Sequence, residues 1–251
     1  MSWPSFEFYM NKMRRVFEQV YRVMKYGRVI CVNVSDYYEK GKRYPIIARF
    51  IVMLEDVGFN YVATIIWKKP YGTGGGGSSP AASQAGNFIQ SRNPLYFKPD
   101  DITEGIIVMR KGSIDFDKLP PSVKEFKYSD QEMKELQPYF VNVWEFPPQN
   151  QSERYHPSQF PEKLPELCIK LFSLPGDVVL DPFAGSGTSG KVAKKLNRSS
   201  IQIEIDGKYI PIIKKRLGWG EKKLGREVVY RYYDMLEQER LVNKNSKVAI
   251  G

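Results

Sequence analysis

The sequence predicts an α/β protein in which helices cover both faces of a doubly wound sheet. Two observations point to this fold class. A helical apolar pattern followed by a short, continuous apolar run occurs twice within the first 70 residues. From residue 160 onward, helical and short apolar segments alternate again around a glycine-rich turn. Strands that are apolar along their whole length are typical of a sheet covered on both faces.

The first third of the chain predicts two helix–strand pairs. Apolar residues recur at helical spacing over 6–24, and Gly27 ends this helix before an apolar strand at 28–34. A second amphipathic helix over 45–57 also stops at a glycine and leads into a strand at 61–67. Helices and strands of this order and length are typical of a layered α/β domain.

The regular pattern breaks at 70–86, where four consecutive glycines could not pack a core. This segment is either a plain connector or a mobile loop that becomes ordered on a ligand. A further strand is predicted at 105–110, whereas 113–146 is irregular, with paired prolines and aromatic residues between them. We interpret this irregular stretch as an inserted recognition region.

The C-terminal part returns to regular alternation. A helix is predicted over 160–172, with Pro161 in its first turn. It is followed by a strand at 177–180, a helix at 187–196, a strand at 200–205, a helix at 209–217 and a tail strand at 227–232. The sequence therefore divides into a first half with the mobile loop (1–112), the recognition region (113–150) and a second half with the tail (151–251).

Composition excludes several classes of protein. Hydrophobic residues make up 42% of the 251 residues and charged residues 26%, which fits a globular chain, and no apolar run is long enough to span a membrane. Cys31 and Cys168 lie in apolar stretches, so we expect buried thiols and not a disulfide or a metal site. The single histidine, His156, makes a histidine-rich metal site impossible. We expect a cytoplasmic protein without a signal peptide or a metal.

The charge of the chain is strongly positive and unevenly distributed. The formal net charge is +10, and 190–226 contains 11 basic and 3 acidic residues, or +8. Such a balance indicates a polyanionic partner, most often nucleic acid. The alternative explanation is a solvated basic surface.

The most informative stretch is Val178 to Gly190, VVLDPFAGSGTSG. A strand ends at Asp181, a glycine-rich turn follows, and a helix begins whose free N–H groups face the turn. The spacing Gly185-x-Gly187-x-x-Gly190 matches a dinucleotide-binding fingerprint, and Glu204 stands near the end of the next strand, where a ribose-binding acid belongs.

Three ligand classes use such a turn. The stretch also nearly matches a phosphate-binding P-loop, but Val192 stands where a serine or threonine must hold magnesium. A carboxylate at Asp181 would repel a pyrophosphate and attract an ammonium group. S-adenosyl-L-methionine (SAM) carries an ammonium, a sulfonium and ribose hydroxyls that Glu204 could bind. We therefore favour SAM, and a P-loop NTPase or a dinucleotide-binding enzyme stays as the alternative.

The surrounding residues carry a family resemblance. The stretches HPSQFPEKL from His156, LFSLPGDVVLDPFAGSGTSG and SIQIEIDGKYI strongly resemble the DNA amino-methyltransferases of the N4-cytosine/N6-adenine group. RVMKYGRVICVNV and ATIIWKKP are similar, more loosely, to motifs of that group's catalytic half. The resemblance covers roughly 14–217. It implies a Rossmann-like sheet of the SAM-dependent methyltransferase type, in the β-type order, where the catalytic half precedes the SAM-binding half and the recognition region lies between them.

The resemblance also implies roles for individual residues. The methionine end of SAM would be lined by Asp181, Pro182, Phe183, Ala184, Gly185 and Gly187. Thr188 would cap the following helix, and Glu204 would bind the ribose hydroxyls. His156, Pro157, Phe160 and Pro161 would belong to the motif that closes over the methionine moiety, although Phe160 could equally be a core residue.

One motif that the resemblance implies is not in the sequence. Enzymes of this group hold the amine of a flipped-out base with Asp/Asn/Ser-Pro-Pro-aromatic, and no such tetrapeptide occurs in the 251 residues. Ser2-Trp3-Pro4-Ser5 is a near match, and so is the stretch with Asn93, Pro94, Leu95 and Tyr96. Asn93, Pro94 and Tyr96 are thus candidate base contacts, and a simple turn is the other interpretation.

The sequence thus favours a SAM-dependent methyltransferase that acts on an exocyclic amine of DNA, N4-cytosine before N6-adenine. A missing N-terminal segment, a complementing chain or a homodimer would supply the motif. The alternative is a non-catalytic SAM- or DNA-binding subunit or remnant, and a cognate restriction endonuclease stays open as a partner. Candidate phosphate contacts are Lys68, Lys69, Arg92, Lys98, Arg110 and Lys111.

Overall fold

A computed structural model describes residues 4–39, 42–70, 92–97 and 101–219. Among these residues, no helix combines the length and the apolar character that crossing a membrane requires. The helices are α1 (Phe6–Val23), α2 (Ile46–Val57), α3 (Pro121–Lys124), α4 (Asp130–Leu136), α5 (Lys163–Phe172), α6 (Thr188–Lys195) and α7 (Ile210–Leu217). The strands are β1 (Val29–Val34), β2 (Tyr37–Glu39), β3 (Lys42–Tyr44), β4 (Phe59–Lys68), β5 (Thr103–Lys111), β6 (Val143–Glu145), β7 (Val178–Asp181) and β8 (Ser199–Gln202).

The first two helices begin and end as their sequences predict. The hydroxyl of Ser5 accepts a hydrogen bond from the amide of Phe8 and caps α1. Helix α2 ends at Gly58, whose φ of 113° is a left-handed conformation that favours glycine. These two caps fix the entry to α1 and the turn from α2 into β4.

Within the described residues, four strands form the main sheet, in the order β1-β5-β4-β6. Strand β5 is antiparallel to both of its neighbours, with Cys31 opposite Val108 and Thr64 opposite Ile107. Strand β6 adds to β4 in parallel. A separate parallel pair, β7-β8, places Asp181 opposite Gln202. The sheet is therefore mixed, although its strands are as apolar as those of a parallel sheet.

The core lies on both faces of β5, whose side chains alternate between two apolar layers. Ile107 and Met109 belong to a cluster that contains residues of α1 and α2, such as Phe17. Ile106 and Val108 belong to a second cluster with residues of α4 and α5. All four β5 side chains are fully buried. The prediction of a sheet covered by helices on both faces is confirmed.

The structure differs from the sequence prediction in several boundaries. The helix predicted over 160–172 begins at Lys163, so that Pro161 precedes it. The stretch 113–146 contains α3, α4 and β6, and its Trp144 is buried in the main core. The short hairpin β2–β3 was not predicted. The tail strand at 227–232 and residues 71–86 of the glycine loop lie outside the described residues.

The two cysteines are free and lie next to each other. Both are half-buried, Cys31 on β1 and Cys168 on α5. A hydrogen bond with Cys168, together with burial, raises the pKa of the Cys31 thiol well above its ordinary value. Cys31 therefore stays protonated at neutral pH, as expected for a structural thiol.

Candidate cofactor site

The turn after β7 is held by its own backbone and by the side chain at its start. The Asp181 carboxylate accepts a hydrogen bond of 3.0 Å from the amide of Phe183, and the Ala184 amide donates to the carbonyl of Ile203 at 2.9 Å. Gly185 and Gly187 have φ values of 51° and 77°, which residues other than glycine rarely adopt. The turn is thus shaped by glycine and anchored to the chain beyond β8.

Asp181 is a half-buried acid in a site that favours its neutral form. Desolvation raises the pKa of its carboxyl, and the negative charge of Glu204 adds to this rise. Hydrogen bonds from the Ser189 side chain and the Phe183 amide act in the opposite direction without cancelling it. Among the described residues, none forms an ion pair with Asp181. A bound cation would therefore stabilise the ionised form of this carboxyl against the cost of its desolvation.

Glu204 faces the same turn from the segment that follows β8. One of its carboxylate oxygens accepts from the Gly185 amide at 2.6 Å, and the other accepts from the Asp206 amide at 2.8 Å. The two acids predicted from sequence are therefore brought to the same turn. A carboxylate oxygen can accept more than one hydrogen bond, so Glu204 keeps acceptor capacity for ribose hydroxyls.

The segment before α5 also packs against the turn. A side chain added at Gly185 would lie 3.3 Å from the His156 ring, which also contacts the ring of Tyr209 at 4.6 Å between centroids. His156 Nδ1 accepts a hydrogen bond of 3.1 Å from the Ser158 amide. The structure thus places the predicted His156 next to the predicted turn.

Gln159, which the sequence did not single out, joins the same two segments. Its amide oxygen accepts hydrogen bonds from the Ser186 hydroxyl at 2.9 Å and from the Tyr155 amide at 3.0 Å. Its Nε2 is buried and has no partner among the described residues. Gln159 therefore has a free donor beside the turn.

The other predicted cofactor residues fall into two groups. Ala184 is buried in the turn, while the neighbouring Pro182 is half-buried and Phe183 exposes 51% of its surface. Pro157 is exposed, Pro161 is half-buried, and Phe160 packs on the second core cluster. Phe160 thus packs as a core residue, whereas the ring of Phe183 is exposed next to Asp181.

The predicted capping role of Thr188 is wrong. The cap of α6 is Gly187, and no side chain makes the capping hydrogen bond. Thr188 is instead buried, and its hydroxyl accepts from Arg216 Nη1 at 3.0 Å. The same Nη1 donates to the carbonyl of Ser186 at 3.0 Å and to its hydroxyl at 2.6 Å. Arg216 thus ties the turn to α7, and sequence analysis missed it.

Gly190 is needed for packing between α6 and its neighbours. A Cβ at this position would lie 2.8 Å from Cδ of Gln202 and 3.0 Å from a methyl of Leu217. We expect Gly190→Ala to lower the free energy of unfolding by about 1–3 kcal/mol, measured by urea denaturation. Gly207→Ala is the control, because its added Cβ meets nothing within 4 Å. Equal losses in the two variants would contradict this role.

The candidate base contacts Asn93, Pro94 and Tyr96 lie in a local turn. The Asn93 carboxamide oxygen accepts from the Leu95 amide at 3.0 Å and caps a 3₁₀ turn over Pro94–Tyr96. This geometry supports the turn interpretation. In the other near match, Ser5 is the cap of α1 and residues 1–3 lie outside the described part.

Two of the predicted phosphate contacts are used within the fold instead. Lys69 pairs with Glu104 at 2.5 Å, its side chain is only 15% exposed, and it lies over the Trp67 ring. Lys111 donates to the carbonyls of Tyr21 and Met24, where it neutralises the C-terminal end of α1. The sequence could not show that both ammonium groups have internal partners, and their role as phosphate contacts stays a prediction.

The remaining basic candidates differ in exposure. Lys68 is exposed but pairs with Glu145 at 2.9 Å, and Arg92 is exposed with a φ of 53°. Arg110 lies half-buried in β5, where it faces Val29 in the ladder. Lys98 lies outside the described residues. Among the described members of this set, Lys68 and Arg92 have exposed side chains, and the phosphate contacts of the set stay a prediction.

The fold and the site together define a class of protein. An acid at a strand end, a glycine turn and a second acid beyond the next strand are the arrangement that the sequence predicts for a cationic adenosine cofactor such as SAM. The family model for DNA methylases, of the N6/N4 type, matches residues 2–215. The chain belongs to this DNA methylase family, whose cofactor is SAM.

Individual relatives agree with this assignment. The chain is 33% identical over 223 residues to the type II methyltransferase M.MjaI of Methanocaldococcus jannaschii, an alignment covering 84% of this chain and 68% of M.MjaI. It is 32% identical over 216 residues to M.HpaI of Haemophilus parainfluenzae, covering 85% of this chain but 60% of M.HpaI. The chain thus spans about two thirds of the length of these relatives.

A solved structure shares the fold. TTHA0409 of Thermus thermophilus, complexed with S-adenosyl-L-methionine, superposes with a TM-score of 0.66 at 24% sequence identity. The superposition covers 85% of this chain and 78% of TTHA0409. The predicted Rossmann-like α/β class is therefore confirmed.

Proposed function

We propose that this chain binds SAM at the turn 181–188 and forms the cofactor half of an enzyme that methylates an exocyclic amine of a DNA base. The observation that supports it most is the pair of acids, Asp181 and Glu204, which face one glycine turn and include a half-buried carboxylate with a raised pKa and no cationic partner among the described residues. A pyrophosphate would be repelled by both acids.

Each residue of the site has a task in this proposal. Asp181 would hold the ammonium of the methionine moiety, since a charge-assisted hydrogen bond favours its ionised form. Glu204 would accept hydrogen bonds from the ribose hydroxyls. The exposed Phe183 ring and the His156 segment would exclude water from the methionine end. When bound, SAM supplies an activated methyl group to a nucleophilic nitrogen.

The experiment that tests cofactor binding is calorimetric titration of the chain with SAM, ATP and NAD in parallel. We expect heat of binding with SAM only. Binding of ATP or NAD without SAM would support the phosphate-binding alternative, and binding of none of the three would contradict the proposal.

We propose N4-cytosine as the target, with N6-adenine as the alternative, and expect the basic surface with Lys68 and Arg92 to contact phosphates. Incubation of DNA with SAM carrying a labelled methyl group, followed by mass spectrometry of the nucleosides, distinguishes the two methylated bases. The chain alone should be inactive in this assay, because no amine-binding tetrapeptide occurs in its sequence. Methyl transfer by the purified chain alone would contradict that expectation.

SAM binding should depend on pH through Asp181. Because the pKa of this carboxyl is raised in the free protein, acidification protonates it and removes the charge that holds the ammonium. We expect the Kd for SAM to rise about tenfold per pH unit below that raised pKa, with release of protons on binding in the same range. Titrations from pH 7 downward in buffers of different ionisation enthalpy measure both effects. A Kd that does not change with pH would contradict the role of Asp181.

A further inference from the structure

The hairpin β2–β3 lies at the edge of the sheet where the turn 181–188 begins. Strands β1 and β7 start together, because Arg28 just before β1 forms an ion pair of 3.1 Å with Asp177 just before β7. Their later residues Val32 and Leu180 pack on the same apolar cluster, so both strands end at one edge. At that edge β7 continues into the turn, and β1 continues into the hairpin.

Helix α1 gives the distance between the hairpin and the turn. The ring of Phe6, at the start of α1, lies 4.7 Å from the ring of Tyr44 in β3, measured between centroids. The ring of Phe17 in the same helix lies 6.3 Å from that of Phe183 in the turn. About three turns of helix, or about 16 Å, separate Phe6 from Phe17. The hairpin is therefore a surface of its own on the same edge as the cofactor site.

Polar contacts hold the hairpin against the rest of the fold. Arg43 of β3 donates to the carboxylate of Asp101, just before β5, and its Nε lies 3.7 Å from Asp36 in the link from β1. Asp36 also accepts a hydrogen bond of 3.3 Å from the amide of Ile47 in α2. The hairpin is thus attached to the link from β1 and to the starts of β5 and α2, so a ligand would meet a preformed surface.

One face of the hairpin is aromatic and basic. Tyr37 is paired with Tyr44 across the two strands, and their ring centroids are 6.5 Å apart with 29° between the ring planes. Tyr44 is half-buried against Phe6, whereas Tyr37 exposes 52% of its surface. Lys42 is exposed, and its ammonium lies 4.9 Å from the centre of the Tyr44 ring. The sequence over 37–44, YYEKGKRY, contains three basic residues and one acid.

We propose that an unpaired nucleobase of the DNA substrate stacks on Tyr37, while Lys42 contacts a phosphate of the same strand. This step rests on the proposed function, which makes DNA the substrate. Every nucleobase has a planar π-face, and proteins that bind single strands combine aromatic rings with positive charge. Stacked bases follow one another at about 3.4 Å along a strand, so about 16 Å spans about four to five nucleotides. The base at Tyr37 is therefore a neighbour of the target nucleotide and not the target itself.

Fluorescence titration with single-stranded DNA tests the stacking. The probe is a thymidine oligonucleotide of about 15 nucleotides, enough to cover one such site, with a central 2-aminopurine whose fluorescence falls when it stacks on a ring. We expect the Kd of Tyr37→Ala for this probe to rise about 5- to 150-fold, and Tyr37→Phe to keep the native affinity because it keeps the ring. Tyr26→Ala is the matched control, since Tyr26 is 70% exposed ahead of β1, at the opposite edge of the sheet.

Two further variants separate stacking from hairpin structure and from charge. Tyr37→Val keeps a side chain that favours a strand, and it should lose as much affinity as Tyr37→Ala. Lys42→Gln should weaken binding and reduce the slope of log K against log salt by about 0.7, the value for one phosphate contact on a single strand. The tyrosine variants should leave this slope unchanged.

The outcomes separate this inference from the proposed function. Loss of affinity in Tyr37→Ala and Tyr37→Val, with native affinity in Tyr37→Phe and Tyr26→Ala, supports the stacking site. Native affinity in Tyr37→Ala or Tyr37→Val, an equal loss in Tyr37→Phe or Tyr26→Ala, or no binding of the probe by the native chain overturns it. An unchanged salt slope in Lys42→Gln overturns the phosphate contact.

SAM binding is measured separately, without DNA. A native chain that binds the probe through Tyr37 but does not bind SAM would support the stacking site and contradict the proposed function. A native chain that binds SAM, with the same DNA affinity in Tyr37→Ala, would contradict the stacking site alone.

Discussion

Asp181→Asn is expected to raise the Kd for SAM by about 10- to 150-fold, which corresponds to about 1.5–3 kcal/mol for a hydrogen bond to a charged group. The change is nearly isosteric, and the new carboxamide oxygen can still accept from the Phe183 amide as the carboxylate does at 3.0 Å. The turn should therefore keep its shape and lose only the charge that we propose binds the ammonium of SAM. Calorimetric titration at pH 7.5 measures the effect.

The same variant should not lose stability, and this separates a binding role from a structural one. Burial raises the pKa of Asp181 above its value in the unfolded chain, so its favourable contribution is present below the unfolded pKa and is lost as the pH rises through the folded one. Above its raised pKa, ionised Asp181 destabilises the fold. Asp181→Asn should then keep or increase the free energy of unfolding, as urea denaturation measures.

Asp177→Asn is the matched control at the other end of β7. Asp177 forms an ion pair with Arg28 and accepts from the Leu174 amide at 2.8 Å, without contact to the turn. Its variant should lose some stability and keep its SAM affinity. Unchanged SAM binding in Asp181→Asn, or a loss of stability larger than that of Asp177→Asn, would assign Asp181 to the fold and not to the cofactor.

Local patterns in the sequence were sufficient to predict most elements and the glycine turn. The helix over 6–24 and the strand over 28–34 follow from apolar spacing and a stop at glycine, and the structure has them at Phe6–Val23 and Val29–Val34. The turn and its two acids follow from charge and spacing within 24 residues, Asp181 to Glu204. These features depend on neighbours in the chain, which a sequence displays directly.

Features that depend on distant partners could not be predicted in this way. Lys69 and Lys111 are indistinguishable in sequence from solvated lysines, and only the folded chain brings Glu104 and the end of α1 to them. Strand β5 has the apolar composition of a parallel strand. In the folded chain it lies between β1 and β4 and is antiparallel to both. Arg216 sits in the basic run Ile210–Leu217, where nothing in the spacing distinguishes it from Lys215.

Arg216→Met should reduce stability by about 2–4 kcal/mol and weaken SAM binding as well. The Arg216 side chain is only 11% exposed, and its Nη1 donates to the Ser186 carbonyl, the Ser186 hydroxyl and the Thr188 hydroxyl. Methionine fills a similar volume but leaves these acceptors without a donor, and one buried unsatisfied group costs about 1–3 kcal/mol. Because the acceptors belong to the cofactor turn, its backbone should also become less ordered.

Arg216→Lys distinguishes the hydrogen bonds from the charge. An ammonium group keeps the charge but cannot reproduce the planar fork of the guanidinium, so we expect values between those of the native chain and Arg216→Met. Lys215→Met is the control for removal of a positive charge from the same helix, since Lys215 is exposed, and it should change neither quantity.

Urea denaturation and SAM titration of the three variants make the comparison. If Arg216→Met resembled Lys215→Met in both measurements, the three hydrogen bonds would not position the turn. If it lost stability while the Kd for SAM stayed unchanged, Arg216 would support α7 alone. If one guanidinium joins α7 to the proposed cofactor turn, we expect a loss in both measurements for Arg216→Met and a partial recovery in Arg216→Lys.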